Sequence, residues 1–113
     1  MSRDKLFLIS PGFSDPAKPG IDFVCPYCNA IEGLLASFPQ LAAAIDVERV
    51  SFPRPRQAVI DAVGEEHQSL PVLILSGDAP ADAGDWRGTR FVGKTDRILE
   101  LLAERHGFPR IHN

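Results

Sequence analysis

Lys5-Leu-Phe-Leu-Ile-Ser10 is a continuous apolar run closed by Pro11-Gly12, the pattern of a buried strand. A stretch rich in Pro, Gly and Asp follows, from Pro11 to about Val24, and reads as a loop. From Cys25-Pro26 onward, Ile31, Leu34, Leu35 and Phe38 recur at the spacing of one helix face. Pro26 suits the first helical position, where a missing N–H costs nothing, and Pro39 stops the helix. Leu41-Ala-Ala-Ala-Ile45 adds a further helical turn, and Asp46 to Phe52, apolar at Val47, Val50 and Phe52, predicts a second strand. A short helix through Ala58, Val59, Ala62 and Val63 is expected to close on Gly64 as a left-handed cap. Leu70-Pro71-Val-Leu-Ile-Leu75 predicts a third strand, Asp78 to Gly88 a polar loop, and Thr89-Arg-Phe-Val92 a short fourth strand. Ile98, Leu99, Leu101 and Leu102 mark a last helix from about Thr95 to His106, with Gly107 after its end and Phe108 folding back on it.

The order β-α-β-α-β-β-α predicts an α/β domain over residues 1–113: a four-stranded mixed sheet with helices on both faces. Strands joined by a helix run parallel through a right-handed crossover, and the last two strands form an antiparallel hairpin. This arrangement brings four features to one sheet edge. Cys25 follows the carboxyl end of the first strand, Arg54 and Arg56 that of the second, Pro71 opens the third, and Gly93-Lys94-Thr95-Asp96 ends the fourth. Open α/β sheets bind ligands at such an edge.

Composition narrows the chemistry. With 113 residues the chain has one core, and 12 basic against 15 acidic residues argue against a nucleic-acid or anionic-membrane surface. No apolar run approaches the roughly 18 residues of a membrane span. The four apolar residues from Leu6 to Ile9 are too few for a secretory signal, so a cytoplasmic location is expected.

Both cysteines lie in Cys25-Pro26-Tyr27-Cys28. A secreted disulfide scaffold spreads several pairs along its chain, and a structural zinc site needs four ligands. His67, His106 and His112 are far from the pair in sequence and lack ligand spacing, so a redox pair is the first reading. Residues three apart share a helix face, near the separation a disulfide requires. The N–H groups and positive dipole end at a helix start favour a thiolate on Cys25, the outer residue and expected nucleophile. Cys28, one turn in, is expected to resolve the mixed disulfide.

The tetrapeptide resembles the active-site segment of glutaredoxins, and the element order is similar to the thioredoxin-like fold they share. Leu70-Pro71 resembles the residue and cis-proline that face the cysteines in that superfamily. Gly93-Lys94-Thr95-Asp96 resembles the segment that holds the γ-glutamyl end of glutathione. The resemblance implies contacts to glutathione from Tyr27, Leu70, Thr95 and Asp96, and a groove shaped by Pro71. Phe52-Pro-Arg-Pro-Arg56, Ser69-Leu-Pro-Val72 and Pro109-Arg-Ile-His112 are similar to an uncharacterised bacterial family of thioredoxin-like proteins. No resident cofactor is expected; glutathione or a protein disulfide is the expected exchange partner.

Other readings stand beside this one. Arg54 and Arg56 either supply positive charge or a carboxylate fork beside Cys25, or form a solvated basic loop. Gly88-Thr-Arg-Phe-Val-Gly93-Lys94-Thr95 fits the phosphate-loop pattern, but its middle is β-prone and reads as a strand. Trp86 is expected to anchor its loop on the sheet edge, and Arg105 and His106 to suit the dipole of the last helix. A non-catalytic module that binds a thiol ligand or a protein partner is the alternative function. A metal site would need two chains pooling their cysteine pairs.

Overall fold

A computed structural model describes residues 3–112. The elements are β1 (Lys5–Ile9), β2 (Phe13–Ser14), β3 (Asp22–Phe23), α1 (Pro26–Ser37), α2 (Pro39–Ala42), β4 (Asp46–Val50), α3 (Gln57–Val63), β5 (Val72–Leu75), β6 (Gly84–Trp86), β7 (Thr89–Val92) and α4 (Thr95–His106). The main sheet has the order β4-β1-β5-β7-β6. β4 is parallel to β1; β5 is antiparallel to β1, β7 to β5, and β6 to β7.

The sheet therefore has five strands, not the four expected. The Asp78–Gly88 segment is not a loop throughout, because its last part pairs as β6 with β7 across a two-residue turn. Arg87 (φ 51°) and Gly88 (φ 87°) both take positive φ, the backbone that a tight hairpin turn demands. The loop from Pro11 to Val24 likewise contains a small separate ladder, β2 with β3. Phe13 of that ladder stacks on Phe52 beyond β4, with ring centroids 4.3 Å apart, so the excursion is pinned to the sheet margin.

Leu6, Phe7, Leu8 and Ile9 are all buried, and successive strand residues point to opposite faces, so both faces of β1 are covered. α1 packs with α4, and α3 packs against β6 and β7. Gly64 ends α3 with positive φ but extended ψ (92°, 159°), not the left-handed cap expected. A Cβ there would stand 2.6 Å from Trp86 Nε1, so the site admits glycine because the indole lies on it. Trp86 thus locks β6 against the end of α3, as an anchor on the sheet edge.

Gly107 after α4 is left-handed (φ 76°, ψ 15°), and the buried Phe108 returns its N–H to Leu102. Arg105 and His106 do more than sit at a dipole end. Both bind Asp4, which is 2% exposed and also accepts the N–H and hydroxyl of Ser76. Burial alone would push the Asp4 carboxyl up. The hydrogen bonds from Arg105, Ser76 and His106, with the Arg105 charge, instead hold it well below the usual carboxylate range. This clamp ties the start of β1 to the ends of β5 and α4, at the margin opposite Cys25. Among the described residues, no helix is long and apolar enough to cross a membrane.

Candidate active site

Cys25 is the N-cap of α1, with extended backbone (φ −70°, ψ 119°), and Pro26 follows in the first turn. Its Sγ accepts the backbone N–H of Cys28 at 3.3 Å. Sulfur here occupies the place that a serine or aspartate oxygen fills at many helix starts. An N–H directed at it from the positive end of a helix is the setting such starts offer to anions. The two cysteines, both free thiols, come within 3.1 Å of each other.

Their environments differ. Cys28 is 2% exposed, and burial pushes its thiol up to about 12. A hydrogen bond with the Ile9 backbone opposes that rise, while Cys25 and Glu32 add to it. Cys28 is thus a protonated thiol at neutral pH, lying over the carboxyl end of β1. Cys25 is 6% exposed, at the outer end of the same turn.

The Leu70–Pro71 peptide is cis and both residues are buried at the start of β5. Tyr27, Ser69, Leu70, Pro71 and the Gly93–Asp96 segment line one groove of about 340 Å³. Tyr27 is 66% exposed, and its carbonyl accepts the Thr95 hydroxyl at 3.2 Å, joining the tetrapeptide to the start of α4. α4 has no side-chain cap at Lys94, and Asp96 is exposed in its first turn. The Gly93–Asp96 segment also borders a larger hollow of about 480 Å³ that carries Asp82, Arg97 and Glu100.

Five of the anticipated residues therefore meet in that groove: Tyr27, Leu70, Pro71, Thr95 and Asp96. The two arginines part company. Arg54 is exposed and donates to Ser69 Oγ at 3.2 Å, which places it at the groove rim. Arg56 is buried, so the solvated-loop reading fails for it. It donates to the carbonyls of Phe52 and Gln68, and the Gln68 side chain accepts its backbone N–H. Burial lowers its pKa and the neighbouring Arg54 adds to this, while Cys25 and Cys28 act to raise it. The Arg54–Pro55 peptide between them is also cis.

Gln68 and Ser69 were not foreseen as site residues. Their signal was adjacency, since they directly precede Leu70-Pro71. The phosphate-loop pattern has no phosphate loop behind it, because Thr89–Val92 is strand β7. Among the described residues, no three His, Cys, Asp or Glu side chains group as metal ligands.

Residues 3–110 match a family described as "Protein of unknown function (DUF3088)", and the chain belongs to that family. No curated protein and no solved structure matches the chain.

Proposed function

We propose that the protein is a thiol–disulfide oxidoreductase of glutaredoxin type on a thioredoxin-like fold, with Cys25 as nucleophile and Cys28 as resolving residue. The observation that carries this reading is the cysteine pair at the start of α1, whose intervening Tyr27 lines a groove bordered by cis-Pro71. The Cys25 thiolate attacks one sulfur of a disulfide R–S–S–R′, forming Cys25–S–S–R and releasing R′S⁻. Cys28 gives up its proton and attacks Cys25 Sγ, which expels RS⁻ and leaves the Cys25–Cys28 disulfide. Two electrons pass to the substrate, and two reduced thiols, of glutathione or of a protein dithiol, restore the pair.

Tyr27, Leu70, Pro71, Thr95 and Asp96 hold the substrate portion next to the sulfur, and Arg54 at the rim receives a carboxylate. With this reading goes a cytoplasmic location, where thiols are kept reduced. The test is reduction of a glutathione mixed disulfide coupled to a glutathione-recycling system. Cys25→Ser is expected to fall to the uncatalysed rate, and inactivity of the wild type with both glutathione and a thioredoxin system would reject the enzyme.

One observation favours the second reading, a module that captures a thiol ligand without turnover. A Cys28 thiol at about 12 resolves a mixed disulfide slowly unless bound substrate takes its proton. Lifetimes of the glutathione adduct decide: if it persists in wild type as long as in Cys28→Ser, the module replaces the enzyme.

A further inference from the structure

A guanidinium removed from water normally meets a carboxylate. Arg56 is 6% exposed, yet among the described residues its guanidinium donates to the backbone carbonyls of Phe52 and Gln68 and meets no acid. Carbonyl oxygens orient a cation but leave its charge unbalanced.

The sheet register shows where that charge sits. Ile9, the last residue of β1, pairs with Val50 of β4, and β5 runs antiparallel on the other side with Phe7 opposite Val72. Phe52 lies two residues past the end of β4, and Gln68 four residues before β5. A guanidinium that donates to Phe52 O on one flank and Gln68 O on the other spans the carboxyl end of β1. Cys28 lies over the same end, bonded to the Ile9 backbone, and both cysteines interact electrostatically with Arg56.

We propose that Arg56 is the built-in countercharge of the dithiol, a positioning residue whose missing anion is the sulfur that becomes charged at Cys25. This rests on the redox reading of the pair and deepens it by dividing the two arginines. Arg56 acts on sulfur from beneath, whereas Arg54 faces the solvent at the rim. Of the other charged groups, Arg54 acts on Arg56 and opposes its charge, and Glu32 of α1 opposes charge on Cys28. Arg56 thus stabilises the reduced, anionic side of the couple and leaves the neutral disulfide untouched.

The experiment reads the dithiol–disulfide equilibrium in glutathione buffers, together with the alkylation rate of Cys25 against pH. Arg56→Gln is expected to disfavour the dithiol about tenfold, roughly 30 mV toward more reducing potentials, and to move the alkylation profile to the alkaline side. Arg56→Lys, which keeps the charge, is expected to recover most of both shifts. Lys5→Gln removes a like charge whose partner is Glu48, and leaves both readouts in place. An Arg56→Gln protein with unchanged potential and pH profile would overturn the proposal.

If that variant does not fold, the wild type still decides, through the rates of iodoacetate and iodoacetamide at Cys25. The anionic reagent is expected to react at least as fast as the neutral one. A preference for iodoacetamide as large as that of free cysteine in the same buffer would overturn the proposal. Alkylation needs no turnover, so absence of oxidoreductase activity with these shifts intact rejects the enzyme and retains the countercharge.

Discussion

Replacing Asp4 by asparagine keeps the shape of the side chain and removes its charge. Asp4 accepts from Ser76 N at 2.8 Å, Ser76 Oγ at 3.1 Å, Arg105 Nε at 2.7 Å, Arg105 Nη2 at 2.9 Å and His106 Nε2 at 2.7 Å. Hydrogen bonds to a charged group contribute about 1.5–3 kcal/mol each, and removing one partner of a buried ion pair costs about 3–5 kcal/mol. Arg105 keeps the carbonyls of Ser76 and Asp78 after the change, so the loss falls at the lower end, about 3 kcal/mol. For a domain of this size that is a fall in Tm of roughly 12 °C.

The pH dependence carries the sharper test. Because the folded carboxyl is held low, its contribution is present above the unfolded value of about 3.9 and fades as pH falls below it. Urea unfolding from pH 7 to pH 3 is the assay, with m-values compared between the two proteins. Wild type loses stability down that range, whereas Asp4→Asn starts lower and declines less. A loss under about 1 kcal/mol at pH 7, or parallel acid limbs, would refute the clamp.

Two further predictions follow from the geometry. At pH 8 the Cys28 thiol, pushed up by burial, stays protonated, so brief alkylation labels Cys25 and spares Cys28, as peptide mapping would reveal. Equal labelling of both contradicts the burial argument. Gly64→Ala forces a Cβ within 2.6 Å of the indole at a positive φ, and destabilises by about 1–3 kcal/mol. Trp86 is the sole tryptophan, so its emission shifts with the same substitution, and unchanged emission would mean the ring is not seated there.

The elements that were legible are those whose residues all answer to one environment. β1 is apolar at four successive positions, and α1 and α4 repeat at helical spacing over three turns. Strand β6 escaped because Gly84-Asp85-Trp86 is three residues long, lies at the sheet margin and has no apolar alternation. Its turn, Arg87-Gly88, also lacks the Asn-Gly or Asp-Gly that announces a hairpin. At the candidate site, the tetrapeptide was legible because its geometry is local to one turn, and edge convergence followed from strand order alone. The fate of Arg56 was hidden. Its charge and flanking prolines leave the two readings of the loop level, and no local pattern shows that its guanidinium turns back to the carbonyls of Phe52 and Gln68. The Asp4 clamp joins positions about a hundred residues apart, a separation that no periodicity reports.

Among the described residues, the margins of the main sheet are β4 and β6, each paired with a strand on one side. β4 reads Asp46-Val-Glu-Arg-Val50, its charges engaged by Arg3, Lys5 and Glu32, and β6 is a stub carrying Asp85. Charge and brevity are how sheets discourage a foreign chain from adding itself. Neither flank therefore offers a long, flat apolar edge on which another strand could readily pair.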